Sequence, residues 1–307
     1  MAETVVSAAG RAKPCTEAVL LLLRWQHEKE KGGRIMFIAR TFSFVIIVPL
    51  FIYAVYWTTT PAKYLFMAFA VLLGFQAVNE YLKMLSLQGW KSYRLLTSFL
   101  GMLFIVSPLF NGFFLILLPE IIVFWLIILF SKDKKESLLK TVVSSSALIV
   151  IAFPLSILVS IHRMEEGNKL LLYLLLATKA GDTGAYIIGT ISSKLMPGGN
   201  HKIVPSISPK KSWEGTLGGL VFSIMISMIV WKWLDFTGSM FVLPIIFGFL
   251  FFWGGFAGDL AESCIKRVCG VKDSGSIIPG MGGVLDILDS LIINALVFMT
   301  VIIFRSL

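Results

Sequence analysis

Apolar stretches long enough to cross a lipid bilayer recur along this chain, and they constrain its fold more than any other feature. A bilayer core of about 30 Å needs about 20 mainly apolar residues in a helix. The sequence offers such stretches at 36–57, 62–79, 95–110, 111–130, 141–161, 170–189, 215–234, 240–258 and 285–304. We therefore expect an all-α, polytopic integral membrane protein with about nine transmembrane helices. Pro108, Asn111 and Gly112 leave open whether 95–130 forms two spans or one kinked helix.

The composition agrees with a chain that is solvated mostly by lipid. Hydrophobic residues make up 57% of the chain and charged residues 15%, against about 25% charged residues in soluble domains. In a soluble protein the net charge of +9 would suggest a nucleic-acid partner. In a membrane protein the lysines and arginines of cytoplasmic loops explain such an excess, so we predict no nucleic-acid partner.

The distribution of positive charge predicts the orientation. With a cytoplasmic N-terminus, nine spans place 20 of the 27 Lys and Arg residues in cytoplasmic segments. The opposite side then holds Lys63, Arg163, Lys169 and Arg305. This asymmetry predicts a multi-pass protein of the cytoplasmic (inner) membrane with its N-terminus inside. We expect residues 1–35 to form a cytoplasmic segment, either an interfacial amphipathic helix or a disordered stretch.

Charged residues within the predicted spans divide the chain into two regions. Few charges fall within helices before residue 170, whereas residues 179–290 bring a lysine and several acids to span ends or into the membrane. Each charge at membrane depth costs about 2.5–3.5 kcal/mol on insertion scales, so a cluster of them indicates a function. We therefore predict scaffold helices over 36–169 and a catalytic membrane region over 170–307.

Two polar segments of the second region are expected on the cytoplasmic face. The first runs from Asp182 to Gly215 and the second from Gly258 to Asp289. Both contain lysines and glycine-rich turns, which suit phosphate oxygens. Both also contain carboxylates, which bind hard divalent cations such as Mg²⁺. This combination predicts a metal-assisted polyphosphate site that faces the cytoplasm.

Two pairs of carboxylates stand out within these segments. Asp286 and Asp289 are three residues apart and therefore share a helix face, and Asp259 and Glu262 repeat that spacing. One such pair at the start of a span is as consistent with capping of the helix N-terminus as with metal binding. Two pairs favour a metal site.

The segment from Ser208 to Gly215 predicts a turn that enters a helix capped by Ser212. For Lys210 and Lys211, anchoring of a span end is the alternative to phosphate binding. We interpret two glycine clusters as helix-packing contacts rather than phosphate loops: Gly215-x-x-Gly218-Gly219 and Gly254-Gly255-x-x-Gly258. The sequence contains no P-loop motif.

The region 259–289 contains a spaced series of polar, glycine and apolar residues: Ser263, Lys266, Arg267, Lys272, Asp273, Gly275, Ile278, Pro279, Gly282, Gly283, Val284, Asp286 and Asp289. In this register the chain resembles the phosphatidate cytidylyltransferase (CDP-diacylglycerol synthase) family. Asp182-x-Gly184-Ala-Tyr and Ser208-Pro-Lys-Lys-Ser-Trp-Glu-Gly also look like that family's segments, so the likeness covers about residues 170–305. Met281 stands where the family has His, and Ile287 where it has Arg.

The resemblance implies a Mg²⁺-dependent membrane nucleotidyltransferase that makes CDP-diacylglycerol and pyrophosphate from CTP and phosphatidate, the first step of CDP-dependent phospholipid synthesis. It implies two Mg²⁺ ions, and it allows a monovalent cation such as K⁺ and a homodimer. The expected metal ligands are Asp259, Asp286 and Asp289, with Glu262 and Asp273 as lesser candidates. Lys266 and Arg267 complete the expected catalytic set. The expected substrate contacts are Asp182, Ser208, Lys210, Lys211, Ser263, Lys272, Asp273, Gly282 and Gly283.

Three other functions fit parts of the sequence. In a multi-pass transporter, the intramembrane acids would form an ion path, but they lie near one face and no inverted repeat is visible. A CTP-dependent kinase for polyprenol or phytol-type alcohols would need a base to ionise the acceptor hydroxyl. A non-enzymatic scaffold is the third alternative, because of Met281 and Ile287.

Overall fold

A computed structural model describes residues 48–110, 113–236, 241–277 and 282–306, with the backbone alone at 113–118 and 304–306. From Pro49 onward these residues belong to one compact unit, Pro49–Leu307. The expected N-terminal segment 1–35 lies outside the described residues. The division at residue 170 into scaffold and catalytic regions stays a prediction.

The described chain is built almost entirely from helices. They are α1 (48–56), α2 (Thr60–Leu87), α3 (Arg94–Val106), α4 (Phe113–Phe130), α5 (Lys134–Ala147), α6 (Phe153–His162), α7 (Gly167–Leu195), α8 (Trp213–Trp233), α9 (Val242–Val268) and α10 (Leu285–Ser306). A 3₁₀ turn, Ser107–Phe110, follows α3, and a π-helical turn, Leu148–Ala152, joins α5 to α6. Each predicted apolar stretch overlaps one of these helices, so the all-α prediction is confirmed.

Five of the described helical stretches are long and apolar enough to cross a membrane. They are Thr60–Leu87, Lys134–His162, Trp213–Trp233, Val242–Val268 and Leu285–Ile303, while Arg94–Phe110 and Pro119–Phe130 are shorter apolar helices. These stretches confirm a polytopic membrane protein. The total of nine spans and the cytoplasmic N-terminus stay predictions. Residues 95–130 contain two separate helices, α3 and α4.

Short-range signals explain where several helices begin. Pro61 occupies the first turn of α2, where its missing N–H leaves no hydrogen bond unmade. The Asp133 carboxylate accepts a hydrogen bond from the Glu136 N–H (3.0 Å) and caps α5. The Ser212 hydroxyl oxygen accepts one from the Gly215 N–H (3.2 Å), which confirms the predicted cap of α8.

A short antiparallel hairpin precedes α8 and was not expected from the sequence. Strand β1 (Lys202–Val204) pairs with β2 (Ser208–Ser212). The predicted turn at Lys210 and Lys211 is therefore a strand. Pro209 favours an extended residue before it, and pairing with β1 keeps β2 extended up to the helix cap.

Close helix packing surrounds a buried tyrosine. The Tyr173 ring on α7 lies 5.6–6.3 Å from five aromatic rings of the following segments: Trp231, Phe236, Phe247, Phe251 and Phe298. A Cβ at Gly218 would lie 2.4 Å from the Ile188 Cβ, and one at Gly258 would lie 2.3 Å from the Asp289 carbonyl oxygen. The glycine clusters thus permit close helix contacts, as predicted.

Candidate active site

A cavity of about 410 Å³ lies where α7, β2, α8, α9 and the start of α10 meet. The two polar segments singled out in the sequence therefore converge. The polar wall includes Asp182, Ser208, Lys210, Lys211, Asp259, Asp286 and Asp289. Aromatic rings supply much of the remaining wall: Tyr186, Phe251, Phe252 and Phe256. The cavity thus joins a charged surface to an apolar one.

Three carboxylates form a compact group at this cavity. Asp259 and Glu262 come from α9 and Asp289 from α10, and one oxygen of each lies within 4.8 Å of the others. Glu262 is 5% and Asp289 9% exposed. We call these residues the carboxylate triad. It brings together Asp259 and Asp289 of the predicted metal set and Glu262, a lesser candidate for that set.

The triad has the donor chemistry of a divalent-cation site. Carboxylate oxygens are the ligands that Mg²⁺ prefers, usually with waters and substrate phosphates completing its shell. Three acids at this spacing repel one another, and lysines compensate two of them: Lys211 lies beside Asp259 and Lys266 beside Glu262. Glu262 Oε1 is buried and has no hydrogen-bond partner among the described atoms. Asp289 makes no ion pair with any lysine or arginine that the structure describes. The residues therefore fit a bound Mg²⁺.

Lys211 is held against the triad from the hairpin. Its Nζ lies 2.9 Å from Asp259 Oδ2 and donates a hydrogen bond to the Phe256 carbonyl oxygen (3.2 Å). The ammonium group also lies 4.0 Å from the centroid of the Phe256 ring, a favourable cation–π contact. These contacts keep a largely buried positive charge beside the acids, at the wall of the cavity.

Asp286 lines the cavity but makes different contacts from the triad. Lys266 Nζ lies 2.7 Å from Asp286 Oδ1 and 2.5 Å from Glu262 Oε2. Backbone N–H groups of Gly283 (2.7 Å) and Ser274 (3.0 Å) donate to Asp286 Oδ2. In this arrangement Asp286 anchors the glycine-rich loop, and its assignment as a metal ligand stays a prediction.

A third lysine joins α7 to α10. Lys179 Nζ donates hydrogen bonds to Asp182 Oδ2 (3.1 Å), to the Ser290 hydroxyl (2.7 Å) and to the Ile287 carbonyl oxygen (3.1 Å). The Ser290 hydroxyl in turn donates to Asp182 Oδ2 (3.2 Å). Asp182 thus accepts hydrogen bonds from Lys179 and Ser290, and its predicted substrate contact stays a prediction. Ile287 contributes only its carbonyl group to this network.

Several predicted site residues lie outside the cavity wall. Ser263 donates a long hydrogen bond (3.5 Å) to Asp259 Oδ1, and Arg267 Nε donates to the Ile207 carbonyl oxygen (3.1 Å), which ties α9 to the hairpin. Lys272 and Asp273 are exposed. Gly282 has φ +93°, a left-handed conformation that favours glycine. The roles predicted for these residues and for Gly283 stay predictions, and Met281 lies outside the described residues.

A buried glutamate of α2, which no sequence pattern singled out, also supports the site. Glu80 of α2 is 2% exposed. Its Oε2 accepts hydrogen bonds from the Leu285 N–H (3.0 Å) and the Ser274 hydroxyl (3.3 Å), and Gln76 Nε2 donates to Oε1 (2.8 Å). Glu80 thus caps α10 and holds the loop that precedes Asp286. In the sequence, Glu80 appears only as an acid that follows an apolar stretch. Its hydrogen-bond partners Ser274 and Leu285 lie about 200 residues further along the chain, so the sequence gives no indication of the contact.

The sequence is similar to known proteins over most of its length. Residues 38–304 match the cytidylyltransferase family. The chain is 58% identical over 87 residues to "Phosphatidate cytidylyltransferase 4, chloroplastic" of Arabidopsis thaliana, a stretch that covers 28% of this chain and 22% of that protein. It is 43% identical over 126 residues to a phosphatidate cytidylyltransferase of Staphylococcus saprophyticus, with 41% of this chain and 46% of the relative covered.

A third relative is aligned over most of its length. The chain is 30% identical over 294 residues to the "Uncharacterized protein YnbB" of Escherichia coli strain K12, and 90% of each chain is covered. By contrast, the chain matches less than half the length of the plant and staphylococcal relatives.

Proposed function

Because the chain belongs to the cytidylyltransferase family, we propose that it is a membrane enzyme that makes CDP-diacylglycerol and pyrophosphate from CTP and phosphatidate. The observation that carries this proposal is the carboxylate triad, whose oxygens lie within 4.8 Å of one another beside a cavity that has both lysines and aromatic rings in its wall. Two relatives whose names state this activity support it.

The proposed reaction needs no general base. An oxygen of the phosphatidate phosphomonoester attacks the α-phosphorus of CTP, a new P–O bond forms, and the bond from the α-phosphorus to the departing pyrophosphate oxygen breaks. The second pKa of a phosphomonoester is about 6, so the attacking oxygen is largely ionised at neutral pH. The ionisable groups in the described cavity wall are lysines, carboxylates and Tyr186, and the proposal assigns none of them the role of a base.

The remaining task is to position two anions and to compensate their charge. Lys210 and Lys211 line the cavity and are proposed to contact the phosphates of CTP or the phosphatidate headgroup. Asp259, Glu262 and Asp289 would hold Mg²⁺, which when bound neutralises phosphate charge and stabilises the leaving pyrophosphate. Lys266 keeps Glu262 and Asp286 compensated within the protein.

The apolar wall suits a lipid substrate. Tyr186 is 74% exposed on α7 and lies in the same cavity wall as Phe252 and Phe256. We propose that phosphatidate enters laterally from the bilayer, with its acyl chains against these rings and its phosphate towards the lysines. Since CTP is a cytoplasmic metabolite, the cavity is proposed to face the cytoplasm. The K⁺ ion and the homodimer stay predictions.

Labelled CTP tests the reaction and separates it from the lipid-kinase alternative. Purified protein in detergent receives phosphatidate, Mg²⁺ and CTP labelled at either the α- or the γ-phosphate. We expect label in the lipid product from α-labelled CTP and none from γ-labelled CTP. The Asp289→Asn variant should lose at least about 100-fold in rate, since it removes one of three metal-binding carboxylates.

Asp235→Asn is the matched control. Asp235 lies beyond α8, outside the cavity wall, with φ +53°, a conformation that Asn also tolerates. This variant should keep wild-type activity. Transfer of the γ-label to lipid, or full activity in Asp289→Asn, would contradict the proposed function.

A further inference from the structure

A second cavity lies at the other end of the helical unit. It encloses about 470 Å³ between the start of α2, the 3₁₀ turn, the end of α6 and the start of α7. Helix α8 runs from one cavity towards the other. Near its start, Gly215 lines the first cavity. At its end, the Trp233 ring stacks on Tyr56 with centroids 6.2 Å apart, and the neighbouring Trp57 lines the second cavity. A helix of 21 residues rises about 30 Å, so the cavities lie at opposite ends of a helix long enough to cross a bilayer.

Two uncompensated cations line the second cavity. Lys63 and Arg163 both belong to its wall, and neither has an ion-pair partner within the described part of the chain. The carboxylate of Glu166, also in the wall, lies 2.5 Å from Lys169 Nζ, so its charge is already compensated. The cavity therefore has a net positive character that suits an anion.

His162 adds an unsatisfied polar atom to the same wall. Its ring stacks on Phe66 with centroids 4.2 Å apart, and its Nε2 is buried without a hydrogen-bond partner among the described atoms. An unpaired buried polar atom costs free energy. In the neutral ring this nitrogen accepts a hydrogen bond, so a donor hydroxyl could satisfy it whereas a phosphate oxygen could not.

The rim of the cavity has the composition of a membrane interface. Trp57 is 48% and Tyr64 74% exposed, and both line the cavity. Aromatic residues with an apolar ring and a polar tip are enriched at headgroup level. Basic residues are depleted on the non-cytoplasmic side of membrane proteins, yet Lys63 and Arg163 are two of the four predicted there. Because both cations line one cavity, an anionic ligand is favoured there.

We propose that this second cavity binds the headgroup phosphate of an anionic phospholipid in the leaflet opposite the candidate active site. Lys63 and Arg163 would contact phosphate oxygens, while Trp57 and Tyr64 would pack against the glycerol and the upper acyl chain. A zwitterionic lipid fits less well, because its ammonium group would lie close to these two cations. The proposal does not depend on the chemistry of the first cavity.

Native mass spectrometry of the full chain in detergent tests this site. Phosphatidylglycerol and phosphatidylcholine with the same acyl chains are titrated separately. Wild type should bind phosphatidylglycerol about tenfold more tightly. In the double variant Lys63→Gln with Arg163→Gln, we expect affinity for phosphatidylglycerol to fall roughly thirtyfold, since each basic group near the headgroups contributes independently.

Controls separate this binding from general charge, misfolding and soluble phosphate. Lys232→Gln removes an exposed lysine at the same end of the molecule, outside the cavity wall, and should bind like wild type. The charge-preserving pair Lys63→Arg with Arg163→Lys should retain most of the affinity. Equal binding of both lipids, unchanged affinity in the Gln double variant, or equally effective competition by soluble glycerol 1-phosphate would overturn the proposal.

Discussion

At the scale of single residues, the site depends on charges that compensate one another across helices. Lys266 lies between Glu262 and Asp286, and Lys211 lies against Asp259. The i, i+3 spacing in the sequence predicts that Asp259 and Glu262 share a face of α9. It does not predict which acid each lysine contacts, because those contacts depend on how α9, α10 and the hairpin meet.

Glu80 provides the residue-scale prediction. Glu80→Gln keeps the size of the side chain but removes the charge and replaces one acceptor oxygen by a donor, so the Leu285 N–H or the Gln76 amide loses its partner. Loss of a hydrogen bond to a charged group costs about 1.5–3 kcal/mol, and we expect kcat for CDP-lipid formation to fall roughly tenfold or more. The KM for CTP should change less, because Glu80 does not line the cavity.

Glu120→Gln is the matched control for that measurement. Glu120 is also a buried glutamate, at 4% exposure, but no residue of α4 lines the cavity. Its variant should keep the wild-type kcat. If both glutamine variants lose the same activity, or if Glu80→Gln loses none, Glu80 does not position the loop and α10.

At the scale of elements, close helix contacts bring the triad together. The sequence predicts the helices and the packing role of their glycines from apolar stretches and small-residue spacing. It does not predict the hairpin at 202–212, because Lys210 and Lys211 favour no strand by themselves and pairing with β1 decides their conformation. Nor does it show that α9 approaches α10 at Asp289, since this contact depends on the crossing of two distant helices.

Gly258→Ala tests that approach. The added Cβ would lie 2.3 Å from the Asp289 carbonyl oxygen, so α9 and α10 must separate and move Asp259 away from Asp289. We expect CDP-lipid formation to fall at least about tenfold, with a lower midpoint of thermal unfolding, as in an overpacked core. Gly255→Ala, one helical turn earlier on α9, is the control, because its nearest contact is an ordinary 3.4 Å. Equal activity of the two variants would show that the contact at Gly258 is not required.

At the scale of the whole molecule, two polar cavities lie at opposite ends of one helical unit. The five apolar stretches and the asymmetric distribution of lysines and arginines predict that these two ends face the two sides of a membrane. The sequence alone predicts which loops share a side, through charge. It does not predict the second cavity, because Lys63 and Arg163 are 100 residues apart and come together only through the packing of α2 against α6.

Reagent accessibility of two introduced cysteines tests the orientation. Lys135→Cys lies near the start, and Glu165→Cys just beyond the end, of the continuous helix Lys134–His162, which at 1.5 Å per residue is about 43 Å long. In a background without native cysteines, a membrane-impermeant maleimide should label position 165 in intact cells. Position 135 should react only after the membrane is opened. Labelling of both positions in intact cells would contradict the predicted topology.

Mn²⁺ binding followed by electron paramagnetic resonance shows whether Asp259, Glu262 and Asp289 together hold a divalent cation. Wild type in detergent should bind Mn²⁺, and Mg²⁺ should compete. Asp259→Asn, Glu262→Gln and Asp289→Asn should each weaken Mn²⁺ binding by at least about tenfold, because each removes one carboxylate ligand, whereas Asp235→Asn should bind like wild type. Unchanged Mn²⁺ affinity in all three triad variants would show that these carboxylates do not bind the cation.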